Sequence, residues 1–224
     1  MIHLSTNYYT LIGSLPALPQ SFEQAERVPI SPLKLDERLK MLVPRDARVV
    51  EKMSDFLVWE RQPLERSDAE VVARYENLLV EVDDRFAQEL IRDTLAARTV
   101  LAGLRCRRLQ RDPPQGVAPW AAQIARNWNH PDFRLGRQFP WILDVDRQLS
   151  GDAPFDLERS RIEIGWRQLK QLSEQYDFGF EAVLLYLMRW ELVYRWTRRD
   201  ADAGHAKFET LVTDAMGDFA QMFA

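Results

Sequence analysis

An all-α fold is what this chain predicts, for three reasons. Apolar residues recur at three- and four-residue intervals over most of its length, alternating polar and apolar runs are scarce, and prolines and glycines cut the pattern into helix-sized pieces. The expected architecture is two helical lobes of packed hairpins joined by a long helix and a Pro/Gly-rich break. Residues 1–112 form the N-terminal lobe with its long helix, 113–154 an irregular connecting segment and 155–224 the C-terminal lobe, one continuous domain being the alternative.

The elements follow in order. Residues 7–19 (NYYTLIGSLPALP) place Tyr8, Tyr9, Leu11, Ile12 and Leu15 in a short segment ended by Pro16 and Pro19, which fix φ and remove backbone donors. Residues 1–6 show no secretory pattern. Leu33, Leu35, Leu39, Met41 and Leu42 then trace an amphipathic helix expected to stop at Pro44. A second helix over residues 45–62, with Val49, Val50, Met53, Phe56, Leu57 and Trp59 as its stripe, is expected to end at Pro63 and to pair with the first as a hairpin. Ser67 followed by Glu70 has the form of a capping box. The helix it opens carries Val71, Val72, Tyr75, Leu78, Leu79 and Val82, and residues 83–111 continue as one long helix of about 43 Å at about 1.5 Å per residue.

Residues 112–119 (DPPQGVAP) are the clearest break, read as a hinge or excursion. A short helix is expected over residues 120–128, then irregular chain from His130-Pro131 through Pro140 to the region of Pro154. Helical periodicity returns with Ile162, Trp166, Leu169, Leu172 and Tyr176. Residues 180–196 are apolar nearly all round, which predicts a buried helix. A final amphipathic helix after Gly204 carries Phe208, Leu211, Val212, Met216 and Phe219.

Composition narrows the function classes. With 224 residues, 46% hydrophobic and 29% charged, the chain is of globular type. No apolar stretch approaches the roughly 20 residues that span a bilayer. The formal net charge of −4 argues against a general nucleic-acid binder, whose domains are strongly basic. The single cysteine, Cys106, excludes an intrachain disulfide and favours an intracellular setting. Its neighbours Arg105, Arg107 and Arg108 are expected to lower the thiol pKa. No histidine lies near it in sequence to act as a base, so it reads as a structural thiol.

Catalytic and metal motifs are missing from the sequence. His3, His130 and His205 are scattered, and no glycine belongs to a phosphate-cradling loop. Asp83-Asp84 and Asp144/Asp146 are the nearest approach to paired carboxylates. The first pair sits where acids favour a helix start, and the second is expected to cap or hydrogen-bond a loop. The expectation is therefore a protein that is not an enzyme and uses no metal or cofactor. Two Arg-rich helix ends stand out: Arg105, Arg107 and Arg108, and Arg195, Arg198 and Arg199. Cations there complement exposed helix carbonyls, which is the ordinary reading; docking to an acidic partner is the functional one.

Four stretches carry a resemblance: Tyr8-Tyr9 with Leu15-Pro16, residues 35–42, residues 99–109 (TVLAGLRCRRL) and residues 178–196 (FGFEAVLLYLMRWELVYRW). Together they resemble a family of small proteins found with bacterial V-type ATPases, itself similar to a shortened C (or d) subunit. Thr99 stands near where the C-subunit helix has an Asn, and the chain is much shorter than a three-lobed C subunit. The resemblance implies a non-catalytic accessory or central-stalk adaptor, cytoplasmic and peripheral to the inner membrane. Its partners would be the central-stalk and membrane-ring subunits, with the six arginines above as docking residues. Alternatives are a helical scaffold or assembly factor unrelated to the rotary ATPase, or an enzyme built around Asp144, Asp146 and His130.

Overall fold

The computed structural model describes residues 7–58, 66–149 and 154–198; the expected features at His3, Trp59, Pro63, Arg199, His205 and the helix after Gly204 lie outside them. Among the described residues the fold is all-α. The helices are α1 (Tyr9–Ser14), α2 (Pro32–Leu39), α3 (Pro44–Leu57), α4 (Asp68–Glu81), α5 (Arg85–Arg108), α6 (Trp120–Arg126), α7 (Ile142–Leu149), α8 (Pro154–Ser173) and α9 (residues 180–198), with a 3-10 turn at Phe22–Gln24.

Local chemistry sets the boundaries. Pro32 and Pro44 each open a helix at its first turn, where a proline's missing N–H is no loss. Pro44, expected as a stop, is thus the start of α3, and α2 has already ended at Leu39. At the other end α3 stops at Leu57, short of the expected residue 62, with Val58 extended. Arginines from other helices take its last carbonyls: Arg98 Nη2 donates to Leu57 O at 2.6 Å and Arg74 Nη2 to Asp55 O at 3.4 Å. These bonds serve groups that a helix end leaves unpaired.

The capping box forms as expected. Ser67 Oγ accepts from Glu70 N at 3.2 Å, and Glu70 Oε2 accepts from Ser67 N at 2.7 Å. The Glu70 carboxyl is held below its usual range, first by the Ser67 backbone hydrogen bond and then by the Ser67 side chain. Helix α5 is shorter than expected: 24 residues, about 36 Å. Asp84 caps its start by accepting from Ala87 N at 2.8 Å. Its end comes before the prolines, at Gln110, which adopts φ 54°. There Arg111 N bonds to Cys106 O at 2.9 Å and Gln110 N to Arg107 O at 3.2 Å, the paired pattern of a left-handed C-terminal cap.

The main core joins both halves of the sequence. Tyr8, Val49, Phe56, Leu78 and Leu90 share one buried cluster with Leu169, Phe180, Val183 and Leu185. The proline-rich N-terminal segment binds α9 through Tyr186 Oη donating to Pro16 O (2.9 Å) and Trp190 Nε1 donating to Ile30 O (3.0 Å). Phe22 stands edge-on to Trp196 with ring centroids 5.0 Å apart. As the periodicity predicts, α9 is buried or half-buried at every described position except Arg198.

Helix α6 forms where a short helix was expected, and the stretch expected to be irregular after it contains α7. Ile124 of α6, Phe133 and Leu135 of the chain between the two helices, and Ile142 and Val145 of α7 form a second cluster on Val100 and Leu104 of α5. The break before them is pinned to α5. Val117 is buried, its N–H lies 3.4 Å from Thr99 Oγ1, and a Cβ on Gly116 would come within 2.4 Å of Thr99 Cγ2. Only glycine permits that approach.

Candidate partner-binding cavity

Helices α3, α4, α5, α8 and α9 enclose an open cavity of about 1310 Å³. Most of its lining is aliphatic, from residues such as Val50, Leu101, Ile164 and Leu187, because these faces form the inner stripe of each helix. One wall is basic. Arg98 and Arg105 reach it from α5, Arg161 from α8, and Arg195 and Arg198 from α9. Glu158 on α8 answers two of them: Arg195 donates to Glu158 Oε1 at 2.5 Å and Arg161 to Glu158 Oε2 at 2.8 Å.

The electrostatics of this wall are strained by design of the packing. Burial first, and then the like charges of Arg195, Arg161 and Arg66, pull the Arg98 guanidinium down to about 10. Burial also lowers Arg161; Arg105 and Arg195 add to that, and Glu158 opposes it. Desolvating a cation is costly unless an anion answers it. Glu158 answers Arg161 and Arg195 on this wall, and Asp68, Asp93 and Glu191 are further carboxylates that line the cavity.

The structure sorts the six expected docking residues. Arg105, Arg195 and Arg198 meet at the cavity, although about ninety residues separate the first from the others in sequence. Arg198 is exposed, its guanidinium 5.6 Å from the Tyr194 ring centroid. Arg108 is exposed and does not line the cavity. Arg107 has an internal task. It donates to His130 O at 2.7 Å and Pro131 O at 2.8 Å, pairs with Asp146 at 3.3 Å and lies 4.4 Å from the Phe133 centroid, tying α5 to the chain before α7. Arg199 lies outside the described residues. Sequence reading missed Arg98 and Arg161, which sit mid-helix with no local motif to mark them.

Cys106 also lines the cavity, and its thiol moves opposite to expectation. Burial pushes it up, Asp68 adds to the rise, and Arg111 offsets part of it. On a helix, residues adjacent in sequence project in different directions, so the flanking arginines do not govern this sulfur.

Each of the paired carboxylates and the His130 side chain has a partner of its own. Asp144 and Asp146 lie on α7 rather than on a loop; Asp144 pairs with Arg147, Asp146 with Arg107. His130 Nδ1 meets Asp132 Oδ1 at 2.6 Å. Burial alone would raise Asp132, but hydrogen bonds from Arg134 N, His130 and Gly136 N hold it low. Asp83 pairs with Arg45 at 3.1 Å while Asp84 serves as a cap. Among the described residues no three His, Cys, Asp or Glu side chains gather as metal ligands, and no helix is long and apolar enough to cross a membrane.

Residues 24–218 match the family described as Protein of unknown function (DUF2764). The chain belongs to the DUF2764 family. The matched span takes in all five helices of this cavity, so the basic wall is part of the DUF2764 region. No curated protein and no solved structure matches the chain.

Proposed function

We propose that this DUF2764 protein is a non-catalytic accessory or central-stalk adaptor of a bacterial V-type ATPase, coupling the rotor shaft to the membrane ring from the cytoplasmic side. The resemblance of residues 8–16, 35–42, 99–109 and 178–196 to small V-type-ATPase-associated proteins motivates the reading. One observation carries its physical side: Arg105, Arg195 and Arg198 converge, with Arg98 and Arg161, on the wall of a broad apolar cavity. Such a cavity suits an acidic, apolar-faced helix of a partner subunit. Arginine is favoured at such contacts because its planar fork engages carboxylates bidentately. An adaptor has no bond to break, only surfaces to hold rigidly.

The test is recovery of ATPase subunits on the tagged full-length chain. The double variant Arg105→Glu/Arg198→Glu alters two exposed cations and spares the core, and it should reduce recovery by about tenfold or more, the effect of about 1.4 kcal/mol. Arg108→Glu, exposed but off the cavity, serves as the control. Equal recovery of the stalk and ring subunits by all three proteins rejects the assignment.

A further inference from the structure

The lining of the cavity divides into a hydrocarbon part and a cationic part. Val50, Val71, Ile164 and Leu192 supply aliphatic surface, and Ala97 and Ala102 add little bulk on the α5 side. Such surface offers no hydrogen-bond partner, so a polar body placed against it would lose its hydration without replacement. At about 1310 Å³ the space exceeds the roughly 300–1,000 Å³ of an ordinary small-molecule pocket, which leaves room for a long chain. The cationic part is only partly neutralised from within. Glu158 engages Arg161 and Arg195, but among the described residues Arg98, Arg105 and Arg198 pair with no carboxylate. Arg98 gives one nitrogen to Leu57 O, and the charges acting on it are those of Arg195, Arg161 and Arg66. Two carboxylates that share the lining act on other groups: Asp68 on the Cys106 thiol, while the charge felt by Asp93 is that of Glu89.

We propose that this cavity binds a long-chain fatty acid, its alkyl chain along the aliphatic lining and its carboxylate at the arginine wall, with Arg98 as the anchor. Arg98 combines an unanswered charge with partial burial, where a charge-assisted hydrogen bond is strong, and its planar fork matches a carboxylate. The ligand uses the space assigned above to a partner's helix, so the two exclude each other, yet its binding needs no ATPase subunit.

The test is calorimetric titration of the isolated full-length chain with dodecanoate at mildly alkaline pH, below its micelle-forming concentration. Binding should saturate at one ligand per chain. Dodecanoate should bind about tenfold tighter, or more, than dodecanol and dodecyltrimethylammonium, which carry the same chain with no charge or the opposite one. Tetradecanoate should bind roughly tenfold tighter than dodecanoate, as burying two more methylenes requires. Arg98→Met should weaken dodecanoate binding about tenfold, and Arg98→Lys less, since it keeps the charge and loses the fork. Because Arg98 also closes α3, Ala102→Phe gives a second reading: it fills space in the lining, leaves every arginine in place and should weaken binding by a similar factor. No saturable binding, equal affinity for all three headgroups, tighter binding of dodecyl phosphate than of dodecanoate, or full affinity retained in both Arg98→Met and Ala102→Phe would each overturn the proposal. The two roles fail separately: fatty-acid binding without ATPase recovery would sink the docking role alone, and recovery without fatty-acid binding would sink the ligand site alone.

Discussion

Single side chains decide how the N-terminal segment holds on. Tyr8 Oη donates to Asp46 Oδ2 at 2.5 Å, and both residues are buried. Burial first, then the Asp46 bond, pushes the phenol up to about 12; burial does the same for Tyr186. The folded chain therefore keeps both protons to higher pH than the unfolded chain does. The stability they carry is complete below the ordinary tyrosine value of 10.0 and drains away as pH climbs toward 12. Tyr8→Phe should cost about 2 kcal/mol at neutral pH, because it leaves a buried carboxylate short of a donor. It should also flatten the alkaline fall in stability, and urea melts across this pH range check both effects. A variant whose alkaline fall is as steep as the parent's contradicts the assignment. None of this is legible in the Tyr8-Tyr9 pair, where Tyr8 is 5% exposed and Tyr9 58%. One residue's rotation along α1 separates them, and packing on α9 chooses which enters the core.

At the scale of elements, the ends of helices were readable where their chemistry is local. The Ser67/Glu70 capping box lies within four residues and forms as its spacing requires. The ends of α3 and α5 were not readable, because the groups that close them are distant or conformational. Arg98 caps α3 from α5, and Gln110 ends α5 by a left-handed turn that no glycine announces. The junction between α4 and α5 is equally tertiary: Gln88 Nε2 donates to Leu79 O at 2.9 Å and Val82 O at 2.7 Å, closing one helix from the first turns of the next. Asp84 holds the start of α5, on which both main clusters rest. Asp84→Ala should cost about 1 kcal/mol, and Asp84→Asn, which keeps an acceptor, considerably less. Thermal unfolding compares them, and equal losses would show that charge rather than the cap bond is what matters.

Across the whole molecule, the two ends of the described chain are fastened together. Trp190 on α9 packs with Ile30 and Leu35, stacks on Tyr194 at 5.0 Å and donates to Ile30 O. Trp190→Ala should cost about 3–5 kcal/mol, the usual range for emptying a buried aromatic site. It should also release the segment around Pro16 to Ser31 for proteolysis before the helices unfold. Protection there equal to the parent's would mean that Tyr186 and Phe22 suffice without it.

By itself the sequence determined that the chain is helical, where most helices lie, that residues 180–196 are interior and that no catalytic motif is present. Those properties depend on neighbours three or four positions away, within reach of one helical turn. Tertiary structure alone decided which arginines act together. Arg105 and Arg107 are two residues apart, yet one lines a cavity and the other is bound to His130 O, Pro131 O and Asp146. Arg98, Arg161 and Arg195 become a group only through the packing of α5, α8 and α9. Charge is written residue by residue; its direction is set by each helix's rotation against its neighbours, and that rotation belongs to the packed molecule.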